Sequence, residues 1–177
     1  DFLPGGALGI ARGDAVLDPA NRAIACFVAR GLPVLASRDW HPAGHCSFRD
    51  QGGPWPVHCV AGSHGAEFHP ALRLPQGTLV ISKASARDRE AYSAFAGTGL
   101  DERLRAFGVR RLFLAGLATD YCVLYTTHDA LALGYAVVVL RDAVAAVDAR
   151  AGDGERALEA MRAGGAVLAE ARTLPLA

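Results

Sequence analysis

An excess of charge of either sign, paired cysteines and long apolar runs are all missing from this chain. Its 177 residues carry 18 lysines and arginines against 18 aspartates and glutamates, without long blocks of one sign. That balance leaves no electrostatic footprint for nucleic acid or an anionic membrane and favours a small neutral molecule as partner. The four cysteines, Cys26, Cys46, Cys59 and Cys122, include no Cys-x-x-Cys pair and do not suggest a small secreted disulfide scaffold. They read as reduced thiols in a cytoplasmic protein. Gly, Pro, Arg or Asp interrupts every apolar stretch before it reaches the roughly 20 residues a membrane span requires. Lysine is nearly absent, Lys83 being the single one among many arginines. An initiator methionine is lacking as well: the chain opens on Asp1-Phe2-Leu3-Pro4-Gly5-Gly6, which predicts a segment upstream.

What is present suits one domain over residues 1–177, since a chain of this size buries roughly two thirds of its unfolded surface without disulfide or metal staples. No internal repeat or linker divides it. Strands are predicted at 33–37, 78–82, 111–115, 136–140 and, more weakly, 166–169. These runs are continuously apolar rather than alternating, as in strands covered on both faces. Between them lie predicted helices at 19–30, 100–107, 119–133 and 154–163, each followed or closed by a glycine (Gly31, Gly108, Gly134, Gly164) able to take the left-handed C′ conformation. Alternating strands and helices predict a three-layer α/β/α fold with a mostly parallel sheet. Ligands in such folds bind beyond the carboxyl ends of the strands, so Arg38-Asp39-Trp40-His41, Lys83, residues 118–122 and Asp142 are expected at one rim.

Cys122 follows the third predicted strand and stands in the first turn of the predicted helix. A helix N-terminus favours a thiolate, so the residue reads either as a nucleophile or as a small buried apolar side chain. Lys83, at a strand end, is either a cation beside that sulfur or a solvated surface lysine. Five of the six histidines (His41, His45, His58, His64, His69) fall in one segment that is too long and too rich in Gly, Pro and His for an idle connection. Asp39 and His41, two apart at the end of a strand, turn to the same side. With His58 they form an oxygen and nitrogen set suited to Zn²⁺, Fe²⁺ or Mn²⁺ with positions left open. A closed structural zinc site through Cys46 or Cys59 is the alternative, and His64 and His69 read as surface residues. Thiol chemistry on an amide also needs a proton shuttle. Asp1, Asp14, Asp120 and Asp142 are candidates by type, with Asp142 read as a structural hydrogen-bonding residue.

Six segments, in order, carry a resemblance: Asp1-Phe-Leu-Pro-Gly-Gly6, Asp39-Trp-His-Pro-Ala-Gly-His45, Pro54-Trp-Pro-Val-His-Cys59, Ser82-Lys-Ala84, Tyr92-Ser-Ala-Phe95 and Gly116-Leu-Ala-Thr-Asp-Tyr-Cys-Val123. The chain resembles the nicotinamidase (pyrazinamidase) group of the isochorismatase-like cysteine hydrolase superfamily. The resemblance implies Cys122 as nucleophile, Lys83 as its cationic partner, the amides of Ala118 and Cys122 as oxyanion hole, and a cis peptide between Leu117 and Ala118. It implies one divalent metal on Asp39, His41 and His58, with zinc the first choice and iron or manganese the alternatives. His45 is a ligand in some relatives and only a neighbour in others. Phe2, Trp55 and Tyr92 match substrate-lining positions. The implied reaction is hydrolysis of nicotinamide, or analogues such as pyrazinamide, to nicotinate and ammonia through a thioester, within NAD salvage.

The family's catalytic aspartate stands four positions before the residue matched by Asp1. The acid and its strand are therefore expected outside this chain, which reads as a domain truncated at its N-terminus with the first strand missing. Two other readings stay open: a metal-independent hydrolase of another small amide or carbamoyl compound, and a catalytically dead binding or scaffold protein of this fold. No nucleic-acid or membrane partner is expected, and homo-oligomerisation is left open.

Overall fold

In the computed structural model, residues 1–174 are described; the last three positions of the predicted domain lie outside them. The helices are α1 (Leu17–Ala29), α2 (Leu100–Ala106), α3 (Leu124–Ala132) and α4 (Asp153–Ala163), and the strands are β1 (Leu35–Asp39), β2 (Leu79–Lys83), β3 (Arg111–Leu117), β4 (Ala136–Ala145) and β5 (Val167–Ala169). Each predicted run lies on one of them, with ends shifted by a few residues. Among the described residues every strand pairing is parallel, in keeping with the mostly parallel sheet expected, but the pairings fall into two ladders, β1-β2 and β3-β4-β5. Residues 1–16 contribute no strand.

Both faces of the longer ladder are covered, and β4 shows why its sequence is continuously apolar. Val137 and Val139 pack into a cluster with Leu104 of α2, Ala130 of α3 and Met161 of α4. Val138 and Leu140, pointing the other way, pack with Ala23 of α1 and with Ala171. Period-two alternation thus places helices on opposite sides of one strand. Ile81 of β2 belongs to the first cluster, with Leu35 and Leu79 against it, so the two ladders share a core.

β4 runs five residues beyond the predicted stop at Leu140, because Arg141 and Asp142 interrupt the apolar pattern without leaving the strand. Asp142 is therefore not a rim residue. Its carboxylate accepts the Ala171 amide at 2.8 Å and faces Arg22 at 4.0 Å, a structural role. The β3–β4 register shifts between Leu114 and Gly116, where Gly116 holds a φ of 119° that an L side chain rarely adopts. The segment from residue 40 to 78 is built on isolated bridges, His41 with Val60 and Phe48 with Trp55, instead of long ladders.

Candidate active site

Three strand ends meet at one cavity. Asp39 closes β1, Lys83 closes β2, and β3 leads through Leu117 and Ala118, joined by a cis peptide, into the turn that carries Cys122. The helix predicted from residue 119 opens instead as a π-helical turn, Thr119–Val123, before α3 begins. Its wide i→i+5 hydrogen bond, Val123 amide to Ala118 carbonyl at 3.0 Å, re-aims the side chains that precede the regular helix. Asp120 does not face the thiol. It accepts the amides of Val147 and Asp148, each at 2.9 Å, and so fixes the turn to the segment after β4.

Lys83 is buried, and all three ammonium protons have partners. It donates to the Cys122 sulfur at 3.3 Å and to the Ala91 carbonyl at 2.9 Å, and it is ion-paired with Asp39. Burial alone depresses such an ammonium, but the Cys122 sulfur and the Asp39 carboxylate outweigh it and hold Lys83 above its ordinary value. The expectation of a lowered thiol pKa is corrected. Burial pushes Cys122 up to about 11, with Lys83 and a backbone hydrogen bond from Ala118 pulling the other way. Desolvation of the anion wins over the nearby cation, so the resting sulfur is a thiol. Among the described residues, Lys83 is the side chain hydrogen-bonded to it.

Asp39, His41 and His58 are buried, and one donor atom from each lies within 4.8 Å of the others. Their hydrogen bonds decide which atoms are free. His41 Nδ1 faces the Ala84 carbonyl at 3.3 Å and His58 Nδ1 faces the Pro56 carbonyl at 2.8 Å. A carbonyl only accepts, so both Nδ1 atoms carry protons and both Nε2 lone pairs are available. Burial lowers His41 to about 4, against the raising pull of Asp39, and lowers His58 as well. Both rings are therefore neutral near pH 7. Asp39 gives one oxygen to Lys83 and keeps Oδ2, which lies 4.0 Å from His41 Nε2. One carboxylate oxygen and two oriented imidazole nitrogens fit a divalent cation of the zinc or iron type.

The closed zinc alternative does not fit, since among the described residues neither Cys46 nor Cys59 joins a group of candidate ligands. Cys59 donates to the Gly65 carbonyl at 3.6 Å, and burial pushes its thiol up to about 12. His64 and His69 are exposed, as expected. Sequence reasoning missed Phe48, which is 1 % exposed and stands edge-on to His41, His45 and His58 at 5.5, 5.8 and 5.7 Å between ring centroids. In the sequence it is marked only by standing three residues after His45.

Phe2, Trp55 and Tyr92 all line the cavity with the thiol and the candidate metal ligands. Trp55 Nε1 donates to the Tyr92 hydroxyl at 2.9 Å, satisfying the polar atom of each ring. Tyr121, not singled out from the sequence, stands at 4.9 Å from Trp55 and 5.3 Å from Tyr92, ring centroid to ring centroid. Glu90 is a second unanticipated lining residue. Cys122 and the Asp39/His41/His58 group thus line one aromatic cavity, and Lys83 binds both the Cys122 sulfur and Asp39. Such a pocket, beyond the carboxyl ends of parallel strands, is where α/β proteins of this layout bind small molecules.

Comparison with known proteins narrows that class. The isochorismatase domain pattern matches residues 1–173. The nicotinamidase of Escherichia coli (strain K12) is 41 % identical over 189 residues, covering 95 % of this chain and 89 % of the relative. The solved pyrazinamidase of Pyrococcus horikoshii in complex with zinc superposes with a TM-score of 0.91 at 47 % identity, covering 96 % of this chain and 92 % of that one. The PnC1 protein of L. infantum in complex with nicotinate gives 0.87 at 39 % identity, with 97 % and 88 % covered. The chain belongs to the isochorismatase family.

Proposed function

We propose that this protein is a nicotinamidase, hydrolysing nicotinamide and close analogues such as pyrazinamide to the pyridine or pyrazine acid and ammonia. The observation that carries the reading is the aromatic cavity lined by Cys122 and the Asp39/His41/His58 group, with Lys83 bonded to the Cys122 sulfur behind it. The similarity to nicotinamidases supports the substrate, and the zinc-bound pyrazinamidase supports a divalent ion, zinc first and iron or manganese next. Bound on Asp39, His41 and His58, such an ion supplies a Lewis-acid anchor for a ring nitrogen.

The protein's own groups account for the remaining chemistry. Phe2, Trp55 and Tyr92 sandwich the ring and exclude water, which fixes the carboxamide carbon against the sulfur. Cys122 loses its proton, attacks that carbon, and the tetrahedral oxyanion accepts hydrogen bonds from the Ala118 and Cys122 amides. Lys83 keeps positive charge beside the sulfur as negative charge develops. The proton passes to the leaving nitrogen, ammonia departs, and water hydrolyses the thioester to the acid and the free thiol. A thiol held near 11 by burial needs a base to take its proton, a role the resemblance gives to an aspartate. Product nicotinate returns to NAD synthesis in the cytoplasm.

Ammonia release from nicotinamide by the full-length protein tests the proposal. Cys122→Ala is expected to abolish turnover, and His58→Ala to lower both zinc content and turnover by at least tenfold. Undiminished turnover in Cys122→Ala sinks the mechanism.

A further inference from the structure

The carboxylate of Asp120 has no place in the mechanism above, yet it joins two parts of the cavity wall. Tyr121 and Cys122, which follow it on the π-helical turn, line the cavity, and so does Val147, on the segment that leaves β4. Sheet pairing stops short of that segment, its last partners being Leu117 and Ala145. Beyond them Asp120 makes the bridge. Its Oδ1 accepts the Val147 amide and its Oδ2 the Asp148 amide, each at 2.9 Å.

Two consecutive amides converge on one carboxylate only where the backbone turns sharply, and Asp148 makes that turn at a left-handed φ of 50°. The turn is held from its far side as well. Asp148 Oδ1 accepts the Gly154 amide at 2.8 Å, and the first turn of α4 lies so close that a Cβ on Gly154 would stand 2.6 Å from the Ala146 Cβ. Helix α4 thus fixes the residues on each side of Val147, while Asp120 sets where the Val147 peptide stands relative to the turn that carries the sulfur. Both Asp120 oxygens are committed to these amides, which suits a structural clamp and not a proton carrier. Val147 itself is β-branched and restricted at χ1, so it forms a wall that does not swing aside.

We propose that Asp120 is a positioning residue which, by holding the amides of Val147 and Asp148, sets Val147 as the wall that limits substituents on the bound ring. The inference rests on the nicotinamidase reading. It is tested in the full-length protein by kcat/KM for nicotinamide and for a series of nicotinamides carrying one methyl group at each open ring carbon in turn. Val147→Ala, which leaves every backbone bond intact, is expected to raise the ratio of one methylated amide to nicotinamide by roughly tenfold. Asp120→Ala is expected to raise the ratio for the same ring position, and the double variant to go no higher than the larger single effect. Asp120→Asn keeps the shape and one acceptor oxygen; its shift is expected between Asp120→Ala and the parent, and it carries the test if Asp120→Ala does not fold. The pH profile of kcat/KM for nicotinamide is expected to keep its parental shape throughout. A parallel loss on every amide, or parental ratios in Val147→Ala, overturns the proposal, and so does a pH limb lost in Asp120→Ala, which would make Asp120 a proton carrier. A parent inactive on nicotinamide sinks the functional reading and this one together, whereas an active parent with parental ratios in every variant sinks the role of Asp120 and Val147 alone.

Discussion

At the residue scale, the site is a set of buried groups whose charge states are fixed by partners, and His41 shows the consequence for stability. Its ring is 1 % exposed, and burial holds its folded pKa near 4 against an ordinary value of 6.5. On acidification of the metal-free protein, the unfolded chain takes up this proton first, near pH 6.5, while the folded chain resists until about pH 4. The contribution is therefore complete above pH 6.5 and is lost as pH falls towards 4. The loss is on the order of 3 kcal/mol for a shift of this size. Urea unfolding of the metal-free protein at pH 7 and pH 5 is expected to show this decline, and His41→Gln to reduce it while His58 keeps its own share. An equal decline in His41→Gln would place the titration elsewhere.

At the scale of elements, the loop that carries His58 is held by a contact between distant segments. Asp1 Oδ2 accepts the Cys59 amide at 2.8 Å, and Oδ1 accepts the Ala7 amide at 3.3 Å. The carboxylate lies against Gly65, where an added Cβ would stand 2.0 Å from Asp1 Oδ2. Gly65→Ala must push Asp1 off the Cys59 amide and loosen His58 beside it. The expected cost is roughly 1–3 kcal/mol of stability, as for other overpacked sites, together with weaker zinc binding. Calorimetry and titration of Zn²⁺ against a chromophoric chelator check both, and a variant with parental melting and parental affinity refutes the linkage. Such contacts mark what the sequence could and could not convey. The strands were legible because each is a continuous apolar run, and Asp39, His41 and Lys83 because they stand at or beside strand ends. Glu90, Phe48 and Tyr121 were not, since their relation to the site depends on how irregular loops pack. The sign of the Cys122 shift was missed for a similar reason: a motif shows the cation nearby but not how deeply the sulfur is buried.

At the scale of the whole molecule, the site ties the two ladders together. Asp39 and Lys83 belong to β1 and β2, His41 and His58 to the loop beyond them, and Cys122 to the turn after β3; Lys83 bridges the sets by binding both Asp39 and Cys122. The large apolar residues of β4 are packed on both faces by helices. Among the described residues, the β1-β2 ladder contributes fewer buried apolar side chains than β4 does. Its apolar anchors to the shared core are Ile81, Leu35 and Leu79. Sub-global opening is therefore expected to begin at β1-β2 and the His41–Val60 bridge, with β4 opening last. An ion held by Asp39, His41 and His58 binds only when that ladder is closed, so it stabilises the closed form by about 2.7 kcal/mol at a hundred times its Kd. Hydrogen exchange with and without zinc reads this directly. Added protection is expected at the amides of Leu79–Lys83 and at His41 and Ala61, which bond across the bridge, with little change at Val137 and Val139. A uniform gain over all strands would mean that the molecule opens as one unit, and that the ion is not what closes the smaller ladder onto the larger.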